Sequence, residues 1–296
     1  RGVAPRTIES VFGVLQRKDD QRFGFSVRAH LIELYKNELV DLLAPSRGRS
    51  TLDVRRDART GETTVENVEE RSVSSHQELS KMLEEGMERR TTATTMMNAD
   101  SSRSHLFLTI SIDVLDKESK ETTSGKITLC DLAGSERPKK SGASGEVMKE
   151  AIEINRALTA LGDVIEALTR GGARGPIPYR NHKLTQLLSD SLGGTAKTLV
   201  FVNVSPARSE AEETINSMAY ATRLRSVTND IKRSQCLKGP SFSPSEGRQR
   251  PVKVSEEVRR SSKTMEDLGD DFVRDLRLAF AESLCRGATP DRLSAG

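Results

Sequence analysis

The chain has 296 residues, 35% of them hydrophobic and 30% charged, which suits one sizeable domain carrying a polar appendage. Its 46 basic and 43 acidic residues leave a net charge of +3, too even for a general binder of nucleic acid or other polyanions, so an acidic partner has to be met by a local basic surface. A mean hydropathy of −0.52, no apolar run of bilayer length and no charged-then-apolar leader argue against membrane insertion.

The opening Arg1-Gly2-Val3-Ala4-Pro5-Arg6 carries no initiator Met, and a preceding segment is expected. From Phe23 to Tyr35, Phe25, Val27, Ala29 and Leu31 alternate at period two, which predicts a strand. It leads through Val40, Asp41, Leu42 and Leu43 into a Pro/Ser/Arg/Gly loop. Helical spacing follows over 78–90, then a second alternating strand through Leu106, Leu108, Ile110, Ile112 and Val114. The short apolar runs 127–132 and 198–204 read as buried strands. Further helices are predicted over 147–168, 182–192 and 210–227, the first two stopped by Gly171-Gly172 and Gly193-Gly194. Strands alternating with helices over residues 1–232 indicate an α/β layered domain. Cys130, Cys236 and Cys285 are few, unevenly spaced and odd in number, favouring a reducing compartment over a disulfide framework or zinc site.

Beyond Lys232 the composition turns to Ser, Pro, Gly and Arg, so 233–262 is expected to be a disordered linker. Phe272, Leu276, Ala279, Phe280 and Leu284 then share one face of a candidate amphipathic helix over 263–287, and 288–296 is expected to be a disordered end.

Two segments carry chemistry. GKITLCDLAGSE at 125–136 is an apolar strand ending in Asp131 and a glycine turn. In a phosphoryl-transfer site such an Asp can hold Mg²⁺ through its water, and a glycine amide can approach a γ-phosphate unobstructed. NADSSRSH at 98–105 places two hydroxyls beside an Arg, groups able to ligate Mg²⁺, orient water and pair with a carboxylate. Alone, Asp-x-x-Gly is also a common turn and a Ser-rich loop only a loop. Together, with a strand after one and before the other, they form a joint signal for a nucleotide switch.

These segments resemble those of the kinesin motor family, over roughly residues 5–232. The resemblance also rests on ELYKNELVDLL at 33–43, DLAGSERPKKSG at 131–142, INRALTALGDVIEAL at 154–168, IPYRNHKLTQLLSDSLGG at 177–194 and TLVFVNVSP at 198–206. It implies an α/β, P-loop NTPase-related fold with a mixed central sheet flanked by helices, here N-terminally truncated. It also implies ATP and Mg²⁺ as cofactors, ATP hydrolysis coupled to movement along microtubules, and a place in the cytoplasm on the microtubule cytoskeleton.

By that resemblance Ser101 and Ser102 are the first switch's hydroxyls, with Ser102 the one approaching Mg²⁺. Asp131 makes the water-mediated Mg²⁺ contact, and Gly134 supplies the γ-phosphate-sensing amide. Arg103 and Glu136 form the salt bridge that latches the switches. Asn155 lies on the helix coupling track to nucleotide. Arg137, Lys139, Lys140, Arg156, Arg180 and Lys183 match microtubule contacts. Singly, each is a solvated surface charge; as a cluster, interrupted by Glu146, Glu150 and Glu153, they suit acidic tubulin.

The family also requires GxxxxGK followed by Ser or Thr, whose amides cradle phosphate, and this sequence holds none. Gly193-Gly194-Thr195-Ala196-Lys197-Thr198 is a decoy, because Ala196 precedes the Lys and no helix opens after it. Motif order places the true loop before Gly2. The chain alone is therefore expected to be inactive, with the parent a microtubule-stimulated ATPase; the alternative is a non-catalytic kinesin-like domain for microtubule binding or partner pairing. VTND at 227–230, VSPA at 204–207 and the absence of later heptads look most like C-terminal-motor kinesins of the plant calmodulin-binding group, which implies minus-end movement. Calmodulin is a candidate partner of the 263–287 helix, although Asp270, Asp271, Asp275 and Glu282 offset Arg274 and Arg277 there, whereas calmodulin targets are basic.

Overall fold

The computed structural model describes residues 2–18, 20–45, 51–57, 61–97, 103–135, 146–170, 175–194 and 196–228. The linker, the candidate amphipathic helix and the end at 233–296 lie outside the described residues.

Helix α1 (Val3–Leu15) opens the chain where the sequence reading placed no element. Pro5 falls in its first turn, where a missing N–H costs nothing, and Ile8, Val11, Phe12 and Leu15 recur at helical spacing on its buried face. Strand β1 (Phe23–Tyr35) turns back into β2 (Glu38–Asp41). The connection is two residues long, with Lys36 and Asn37 at φ 49° and 63°, the left-handed pair that a tight hairpin requires. A separate hairpin pairs β3 (Asp53–Arg56) with β4 (Thr63–Glu66), and β5 (Arg71–Val73) joins the N-terminal half of β1. Helix α2 (His76–Met97) precedes β6 (His105–Asp116) and β7 (Thr122–Asp131). Helices α3 (Glu146–Thr169), α4 (Lys183–Leu187) and α5 (Ala211–Arg225) complete the described strands and α-helices.

The main sheet runs β2-β1-β6-β7, with β5 sharing β1's outer edge with β2, and every pairing among the described residues is antiparallel. Period-two alternation sends the two faces of β1 and β6 into two cores. Val27, Ala29 and Leu31 stand beside Ile112, Ile110 and Leu108 and pack with Ile8, Phe12, Leu79 and Met82 of α1 and α2. Ile32, Leu34 and Phe107 face the other way, onto Ala157, Leu161 and Ile165 of α3 and Leu184 of α4. The result is helices, sheet and helices in three layers.

Two sequence expectations change. The helix expected over 182–192 is regular only through Leu187 and then continues as turns to Leu192. The run 198–204, expected as a buried strand, forms no strand: Leu199 is 57% exposed and Phe201 52%. A strand forms only against a neighbour, and β7 stands at the sheet edge without one on its outer side among the described residues. No described helix is long and apolar enough to cross a membrane.

Candidate nucleotide-sensing site

The antiparallel register of β6 and β7 builds the site. Leu106 pairs with Asp131, so the start of β6, just after Arg103, lies beside the end of β7, where Asp131 leads to Gly134. Two motifs separated in sequence thus meet at one end of the sheet. The Asp131 side chain is 76% exposed, with its Oδ2 3.9 Å from Arg90 Nη1. That carboxylate faces outward with anionic oxygens available, a donor set that fits the outer shell of Mg²⁺. Gly134 is partly exposed at the turn after the strand. Ser101, Ser102, Glu136, Arg137, Lys139 and Lys140 lie outside the described residues, so neither the Arg103–Glu136 latch nor the hydroxyl pair is seen.

Beneath this end sits a buried polar cluster that the sequence reading passed over. Arg90, on α2 and only 3% exposed, donates from Nε to Glu33 Oε1 at 3.1 Å and from Nη2 to the Ser104 carbonyl at 3.1 Å and hydroxyl at 3.0 Å. Ser104 Oγ donates in turn to Glu33 Oε1 at 2.5 Å. A carboxylate inside the run LIELY, at a position that shares its strand face with Leu31 of the core, was the available signal: it needs a buried cation. The next residue, His105, is 3% exposed, and its Nδ1 accepts the Ala133 amide at 3.0 Å. Burial, with His182 and Arg90 nearby, lowers the His105 pKa to about 4, so the ring is neutral near pH 7.

The basic side chains lie on neighbouring elements. Arg156 on α3 is exposed and 3.6 Å from Glu153, one of the acidic residues expected to interrupt the cluster. Arg180 lies in the short 3₁₀ turn Tyr179–Asn181 and is exposed, while Lys183 opens α4, which packs against α3. The Lys183 amide donates to Asn37 Oδ1 at 2.9 Å, so the β1–β2 turn fixes where α4 begins. His182 caps α4 by accepting the Leu184 amide at Nδ1, 3.1 Å away. Lys126 of β7 and Thr63 of β4 both donate to Asp190 Oδ2, at 2.5 and 3.2 Å, tying the β3–β4 hairpin to the turns after α4. Asn155 is partly buried on α3, its carbonyl accepting from Thr159 Oγ1 at 2.7 Å. Gly193 of the decoy has φ 77°, and a Cβ there would lie 2.3 Å from Leu168 of α3, so it turns the chain tightly against that helix.

Comparison with known proteins places this arrangement. The family profile described as kinesin motor domain matches residues 1–227. The chain belongs to the kinesin motor family. Kinesin-like protein KIN-14E of Arabidopsis thaliana is 51% identical over 230 residues, which are 77% of this chain and 18% of that protein. KIN-14I of Oryza sativa subsp. japonica is 50% identical, covering 78% and 18%. Human chromosome-associated kinesin KIF4A is 44% identical, covering 77% and 18%. The kinesin chain described here thus spans 18% of the length of each of these relatives. Among solved kinesins, a fast kinesin superposes with a TM-score of 0.72 at 37% identity, covering 86% of this chain and 69% of that one. A KIF14 dimer bound to a microtubule superposes at 0.69 with 36% identity, covering 77% and 66%. The kinesin fold expected from the motifs is the fold observed.

Proposed function

We propose that the parent protein is a microtubule-stimulated ATPase that moves along microtubules, and that this chain is its sensing and coupling half. The β6–β7 pairing carries the reading, because it sets the first switch's end beside Asp131 and Gly134 over a buried anchor. Bound Mg·ATP supplies the phosphoryl group and the cation that neutralises its charge. In this reading Ser102 and Asp131 would hold the cation, Asp131 through water, and the Gly134 amide would sense the γ-phosphate. Ser101 and the Arg103–Glu136 pair close the two switches, and Asn155 on α3 passes closure toward the track. Arg137, Lys139, Lys140, Arg156, Arg180 and Lys183 meet the acidic microtubule surface.

Groups that grip the triphosphate belong to a part of the parent outside this chain, since the sequence holds no phosphate loop. In this reading the chain alone binds ATP poorly or not at all. Minus-end movement belongs to the same reading through the resemblance to plant C-terminal-motor kinesins, and two plant KIN-14 kinesins are among the relatives. The test is the ATPase rate of the parent protein with and without microtubules, beside co-sedimentation. Stimulated hydrolysis is expected; a parent that co-sediments without hydrolysing ATP would leave a non-catalytic microtubule-binding domain instead.

A further inference from the structure

We propose that His105 is a positioning residue for the second switch, its Nδ1 holding the Ala133 amide and thereby setting the turn that presents Gly134. The catalytic part of this proposal rests on the function proposed above.

The last β6–β7 ladder pair at this end is Leu106 with Asp131. Beyond it the chain has no strand to hold its register, Leu132 is 38% exposed and Ser135 is exposed, so little packing fixes the turn. Ala133, by contrast, is 5% exposed and its amide donates to His105 Nδ1 at 3.0 Å. A buried amide that loses its acceptor is left with the full cost of desolvation, so the turn would move to find water. Accepting at Nδ1 fixes the tautomer with the proton on Nε2, and burial keeps the ring in the neutral form the contact needs. The preceding residue, Ser104, is held by Arg90 and Glu33. Adjacent residues at the start of β6 therefore tie the end of the first switch to α2 and β1, and the second switch to β6. Displacement at Ala133 is passed directly to Gly134, its neighbour in sequence.

The test compares His105→Asn, whose Oδ1 can stand where Nδ1 stands, with His105→Gln, which places its oxygen one carbon farther out, and with His105→Ala. Amide hydrogen exchange on the 296-residue chain is expected to show a protected Ala133 in the native chain and in His105→Asn, and fast exchange there in His105→Gln and His105→Ala. In the parent motor, His105→Gln is expected to lower microtubule-stimulated kcat about tenfold with KM for ATP little changed, and His105→Asn to recover most of it. Unchanged Ala133 exchange in His105→Gln, or His105→Asn no better than His105→Gln at equal Tm, overturns the proposal. If His105→Ala does not fold, the Asn and Gln pair still decides it. If the native parent shows no ATPase, the proposed function fails while the exchange comparison still decides the contact.

Discussion

Ile110 on β6 and Phe201 in the 198–204 run are apolar side chains in equally strand-prone sequence, yet the first is 0% exposed and the second 52%. Ile110 has β1 on one side, β7 on the other, and α1 and α2 over its face. Phe201 has no strand neighbour among the described residues. The contrast shows that a strand-prone run becomes strand only where neighbours pair with it, as β1 and β7 do for β6 in the inner half of the sheet. The inner half also carries the buried Arg90–Glu33–Ser104 cluster and His105.

The largest effect should come from the anchor itself. Arg90→Met leaves Glu33 buried without its cation and is expected to cost about 3–5 kcal/mol in urea unfolding, with most of it recovered in the Arg90→Met/Glu33→Leu double variant. A loss of under about 1 kcal/mol in Arg90→Met would mean the cluster is not an anchor. Next, Ile110→Ala should cost about 2–5 kcal/mol, whereas Phe201→Ala in the 296-residue chain should stay within about 0.5 kcal/mol. Equal losses at the two positions would erase the contrast between inner sheet and edge.

A smaller effect is expected from pH. Burial lowers the pKa of His30, His105 and His182 below the ordinary histidine value, His105 to about 4. A folded pKa below the unfolded one means the unfolded chain binds more protons, so this stability is complete above about pH 7 and lost as pH falls from 6.5 toward 4. The loss should reach about 1–3 kcal/mol, and stability that is flat across that window would contradict the buried neutral His105. Smallest is the surface face: Arg180→Ala with Lys183→Ala should weaken microtubule co-sedimentation of the parent severalfold at low salt, and less as salt rises. Binding that is unchanged at low salt removes these residues from the track face.

Much of the inner sheet was legible because both of its faces are buried or alternate cleanly, so β1 and β6 declare themselves by period. The end of β7 at Asp131 was legible because an apolar run stops there, but Asp-x-x-Gly is also a common turn, and only its pairing with the Ser-rich segment before β6 gave it a proposed task. Helix α1 was not, since its Pro5 and the flanking Arg residues obscure a pattern whose burial comes only from α2 and the sheet. The strand expected over 198–204 failed because an apolar run specifies a tendency to pair, not the presence of a partner. His105 was inside the quoted motif but had no assigned task, because its acceptor role depends on a backbone amide 28 residues away, which only the β6–β7 register brings near.

The central claim, that this chain senses nucleotide without gripping it, is tested most directly by titrating a fluorescent ATP analogue with Mg²⁺ into the 296-residue chain and into the parent protein. Saturable binding to the parent and none to the chain is expected. Saturable, Mg²⁺-dependent binding of equal affinity to both would contradict it.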